Sequence, residues 1–141
     1  MLRRAVAAGA VAVPESFAHR IESAPRPELG VLELLRGLSH GLRLPDEAGP
    51  TELECERRLR ATVASEFPER AARDSDAVDL RALAIALPRC ALVTCDAFMA
   101  DVVRRTRLDV RFGCELYTPR RPDVRRLTDR LAALHSARGP E

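Results

Sequence analysis

Along most of this chain apolar residues recur at three- and four-residue steps, a period that predicts helices. Leu29, Leu32, Leu35 and Leu38 mark one over 28–38, with Gly37 and Gly41 near its end. Ahead of it, Pro14 and Pro25-Arg26-Pro27 leave room for two short helices, near 2–12 and 14–23, in a variable segment 1–27. Leu42 to Pro50 contains two prolines and Gly49 and reads as a loop. Thr51 opens a long amphipathic helix, Glu52 to about Phe67, with Leu53, Leu59, Val63 and Phe67 expected inward and Glu56, Arg57, Arg58 and Arg60 outward. Pro68 ends it.

The pattern changes character between Asp79 and Asp96, in DLRALAIALPRCALVTCD. Val78, Leu80, Leu83, Ala84 and Leu87 keep the helical period, Asp76 sits where an N-cap is expected, and Pro88-Arg89 stops the run. Ala91 to Cys95 is then a short apolar stretch with two β-branched residues, suited to a strand buried on both faces of a parallel sheet. Ala97 to Arg105 turns helical again. Gly113 to Tyr117 reads as a second strand, Pro119 and Pro122 mark a turn, Asp123 is expected to cap a last helix to about His135, and Ser136 to Glu141 is expected to fray. Helix, strand, helix is the order of an α/β sheet, where ligands bind beyond the carboxyl ends of strands. Asp96 stands at such an end.

Composition narrows the picture. A chain of 141 residues is expected to be one domain with a core that needs no disulfide or structural metal. All 23 basic residues are Arg, which codon usage in a GC-rich genome explains without invoking RNA. Nine of them, Arg104, Arg105, Arg107, Arg111, Arg120, Arg121, Arg125, Arg126 and Arg130, crowd the last third. They form either a phosphate-binding face or solvated helix surfaces paired with Asp101, Asp109, Asp123 and Asp129. Aromatic content of 4% with no Trp argues against a base-stacking platform. Cys55, Cys90, Cys95 and Cys114 lack zinc-site spacing and read as reduced, buried thiols. Met1-Leu2-Arg3-Arg4 and the Ala-rich run after it lack a convincing cleavage site, and no apolar stretch is long enough to span a membrane, so a cytoplasmic location is expected.

Taken together, Asp79, Pro88, Thr94, Asp96 and Phe98-Met99-Ala100 resemble the PIN-domain family, whose members are mostly metal-dependent ribonucleases. The resemblance covers residues 75–134, with a weaker extension to the helix around Glu33. It implies a PIN-like fold with a small parallel sheet flanked by helices, and Mg²⁺- or Mn²⁺-dependent RNA cleavage, often by the toxin of a toxin–antitoxin pair. An antitoxin protein and a second copy of the chain are the partners so implied, beside RNA. Asp79, Asp96 and Glu33 then supply metal ligands, with Thr94 supporting the site through its hydroxyl and Asp76 as the alternative to Asp79. PIN domains begin with an apolar strand ending in an Asp, whereas this chain has no such strand and no Asp before Asp46. An N-terminally truncated or degenerate member is therefore expected, with three or fewer strands, and a PIN-derived protein- or RNA-binding module without catalysis stands as the alternative.

Clustered carboxylates suit this chemistry because Mg²⁺ and Mn²⁺ take hard oxygen donors and activate water toward a phosphodiester. Each acid also has a purely structural use. Asp79 can complement the helix dipole, Asp96 can cap the following helix, and Glu33 can be the polar edge of an amphipathic helix. His19, His40 and His135 are scattered and read as exposed or capping residues.

Overall fold

The computed structural model describes residues 1–139 as an α/β protein rich in helix. The chain gathers into two compact units: Met1–Leu44 with the segment from Arg120 onward, and Pro45–Pro119.

In the first unit, α1 (Leu2–Ala7) packs on α8 (Arg121–Ala137), and α2 (Phe17–Ser23) on α3 (Val31–Ser39). The first helix is shorter than its apolar run because Gly9 takes a left-handed conformation, φ 63°, and turns its N–H onto Val6 O at 2.8 Å. Ser16 caps α2 reciprocally with His19, the capping role open to that histidine. The helix expected over 28–38 divides into a 3₁₀ turn, Pro27–Leu29, and α3, because Gly30 between them has φ 62°. Arg120 rather than Asp123 holds the N-cap position of α8, while Pro122 and Asp123 fill its first turn. The end expected to fray stays helical to Ala137; Pro140 and Glu141 lie outside the described residues.

The second unit is built around α4 (Pro50–Glu66), which packs on α5 (Asp76–Ala86) and α6 (Ala97–Thr106). Pro50 starts α4 where a missing N–H does no harm. Leu59 is buried and Val63 and Phe67 pack on the core as expected, but Leu53 is 51% exposed, while Cys55 and the acids Glu52 and Glu56 are buried. Arginines on the neighbouring segment explain why. Arg89 pairs with Glu52, and Arg81, together with Arg60, pairs with Glu56, so both carboxylates enter the interior already matched. Two strands, β1 (Leu92–Thr94) and β2 (Glu115–Tyr117), form a parallel pair in the register Leu92↔Glu115, Val93↔Leu116 and Thr94↔Tyr117. A short helix, α7 (Leu108–Phe112), not foreseen from the pattern, brings the chain back, with Arg107 at φ 56° and Gly113 at φ 64° on either side. Leu59, Leu83, Leu87, Val93, Val102 and Leu116 are among the apolar side chains that close the core between helices and sheet. Two strands among the described residues fall within the three or fewer expected.

Candidate functional site

Beyond β1 the chain passes Thr94 and Cys95 and turns into α6 at Asp96. Asp96 is extended, φ −66° and ψ 168°, and its Oδ1 accepts the Met99 backbone N–H at 2.7 Å, a true N-cap. Asp79 lies in the first turn of α5, half-buried, with its own N–H on Ser75 O at 2.9 Å. The two acids come from different helices, yet both bear on one thiol. Burial, joined by the negative charges of Asp96 and, more weakly, Asp79, pushes Cys95 up to about 12, with Arg104 opposing. Thr94, the last residue of β1, is exposed opposite Tyr117 in the register.

Asp76 is the first residue of α5 rather than its cap; Ser75 occupies that position. The Asp76 carboxylate is held by Arg70 through both Nη atoms, at 2.5 and 3.1 Å, and by the Arg73 N–H at 2.9 Å. The Arg70 hydrogen bonds are the main reason its pKa lies below the usual carboxylate range. The Arg70 guanidinium carbon lies 3.7 Å from the centroid of the Phe98 ring, just inside the start of α6, and the charge of Asp96 also bears on it. Phe98 meets Phe67 edge to face at 5.1 Å, and Arg105 covers Phe67 from 4.8 Å. Arg70 is a site residue that the pattern of the chain did not single out. Its only signal was an Arg just past the Phe67-Pro68 break, and many breaks of that kind carry one.

Glu33 belongs to the first unit, whereas Asp79, Asp96 and Thr94 belong to the second. It is exposed in the first turn of α3 and lines a cavity of 340 Å³ with Arg3, Val6, Leu34, Leu38 and His40. His40 ends α3 in a left-handed conformation, φ 50°. The four cysteines are free; Cys55 and Cys114 are buried, and Cys90 and Cys95 half-buried. The arginines of the last third are divided between the units, Arg104 to Arg111 in one and Arg120 onward in the other. Of these, Arg105 pairs with Glu66 and Asp101, and Arg126 with Asp123. No helix among the described residues is long and apolar enough to cross a membrane.

In kind, the donors at the end of β1 fit a hard divalent cation. Asp79 and Asp96 are carboxylates and Thr94 carries a hydroxyl, but Asp96 commits one oxygen to its cap, and no cluster of three or more His, Cys, Asp or Glu residues able to hold a metal is present among the described residues. No family model, curated protein or solved structure matches the chain.

Proposed function

We propose that the second unit is a PIN-like ribonuclease centre dependent on Mg²⁺ or Mn²⁺, with Asp79 and Asp96 as cation ligands and Thr94 beside them. What supports the reading is the placement of Asp96 just past the carboxyl end of a parallel strand, with Asp79 in the first turn of the helix that precedes that strand. That is where α/β sheets place ligands. When bound, the cation supplies Lewis-acid polarisation of a phosphodiester and a more acidic water. The chain's own part is positioning: α5 carries Asp79 in its first turn and α6 carries Asp96 at its N-cap. The proposal needs residues of the second unit only. An RNA-cleavage assay with millimolar Mn²⁺ tests it, with Asp79→Asn/Asp96→Asn as control. Cleavage that disappears in the double variant supports the reading, and cleavage that survives there belongs to another group.

A second reading, a PIN-derived binding module without catalysis, is favoured by the Arg70–Asp76 pair. An acid at this end of the sheet is already neutralised by a guanidinium from the same chain. RNA binding without cleavage, and without any response to Mn²⁺, is what this reading expects.

A further inference from the structure

We propose that the cavity lined by α1 and α3 in the first unit is a binding site for a small zwitterion with an apolar body, which places its carboxylate on Arg3 and its ammonium on Glu33. The proposal is independent of the metal-site reading, which needs the second unit only. Two helix faces build the cavity. Arg3, Val6 and Ala7 follow at helical steps on α1, and Glu33, Leu34, Gly37 and Leu38 do so on α3, with His40 at the end of that helix. The end of α3 is fixed without any ligand. The Val13 N–H donates to Leu38 O at 3.2 Å, and the Ser39 hydroxyl accepts the Gly41 N–H at 3.2 Å while donating to Arg36 O at 3.3 Å.

The lining chooses the ligand. Val6 and Leu38 are buried and Leu34 is 45% exposed, so an apolar wall runs from the interior out to solvent, where Arg3, Glu33 and His40 are exposed. Among the described residues none forms an ion pair or hydrogen bond with the side chains of Arg3, Glu33 and His40, so their donors and acceptors are open to a ligand. A lone carboxylate or phosphate on Arg3 meets the like charge of Glu33 in the same cavity, and a lone amine on Glu33 meets that of Arg3. A molecule carrying both signs satisfies both. A volume of about 340 Å³ is near the lower end for small-molecule sites and suits a ligand the size of one amino acid. Exposed charges hold their partners weakly, so an affinity on the order of millimolar is expected.

The test is an NMR titration of the full chain at neutral pH, following its amide signals, with probes of matched carbon number. Leucine carries its two charges close together, 6-aminohexanoate carries them at opposite ends, and hexanoate and hexylamine carry one each. At least one zwitterion should bind about threefold more tightly than both singly charged probes, and which one does so gives the spacing of charges that the site takes. Gly37→Leu checks the place. A Cβ at Gly37 meets nothing within 4 Å, and Leu suits a helix better than Gly, so the larger side chain occupies the cavity without disturbing the fold and should weaken binding about tenfold. Arg3→Gln and Glu33→Gln leave the apolar wall in place and should each weaken the zwitterion about threefold; they carry the comparison should Gly37→Leu fail to fold. A singly charged probe that binds as tightly as both zwitterions, undiminished binding in Gly37→Leu, or no shift with any probe overturns the proposal.

Discussion

Asp96 holds the N–H of Met99 at 2.7 Å, and by that bond it starts the helix carrying Phe98, Val102 and Val103 into the core. The residue offered as a metal ligand is therefore also structural, and the two uses can be separated by choice of replacement. Asn caps a helix about as well as Asp, whereas Ala leaves the N–H without a partner. Asp96→Ala should lose about 1 kcal/mol, a drop of about 3 °C in melting temperature, while Asp96→Asn stays close to the unaltered protein. Thermal melting without metal checks this. Equal losses in the two variants would mean that the cap contributes nothing.

Glu56 makes acid stability a test of the α4–α5 interface. Burial pushes its pKa up, but the hydrogen bonds from Arg81 and Arg60 outweigh burial and leave it below the ordinary value of 4.5. With the folded-state value depressed, the unfolded chain takes up the proton first. The stabilisation is present above pH 4.5 and is lost as pH falls through the folded-state value. Glu52 is shifted the same way, first by its backbone hydrogen bond and then by Arg89 against the cost of burial, and adds to the effect. Glu56→Gln should lower stability by about 1–2 kcal/mol at neutral pH and flatten its fall in acid. Urea unfolding at pH 7 and pH 3.5 reads both; an unchanged acid slope would remove Glu56 from the account.

The shared influence on Cys95 can be measured directly. Its thiol is pushed up to about 12 by burial and by Asp96 and Asp79, so it should alkylate slowly in the folded protein. Asp79→Asn/Asp96→Asn removes both charges and should speed modification of Cys95. Cys114 serves as the internal reference. It is raised to about 11 by burial and by Cys90, Asp109 and Glu115, and should keep its rate. Peptide mass spectrometry of iodoacetamide labelling at pH 9 separates the two. If Cys95 does not gain on Cys114, the two acids do not converge there.

Helix periods and the apolar runs around Val93 and Leu116 were legible in the sequence because they follow from burial alone. The parallel pairing of β1 with β2 follows from the helix–strand order, and the cap at Asp96 from an acid placed where a helical period begins. The burial of Glu52 and Glu56 in place of Leu53 was not legible. Leu53 has the period of a core residue, and only the arginines Arg81 and Arg89, remote in sequence, make buried Glu56 and Glu52 the better face. Nor was α7, whose five residues are too few to show a period. In the site, Asp79 and Asp96 were readable as the ends of a helix–strand unit. Arg70 was not, because its place is set by Asp76 and Phe98 rather than by its neighbours in the chain.

The central claim is that Asp79 and Asp96 together hold a divalent cation, and thermal melting with and without millimolar Mn²⁺ addresses it most directly. Asn can keep the cap at the start of α6, so without metal Asp79→Asn/Asp96→Asn should melt close to the unaltered protein. Mn²⁺ should raise the melting temperature of the unaltered protein by a small amount, since two carboxylates make a weak site, and should leave the double variant where it was. An unaltered protein whose melting temperature does not move with Mn²⁺, or a double variant that rises equally, would contradict the claim.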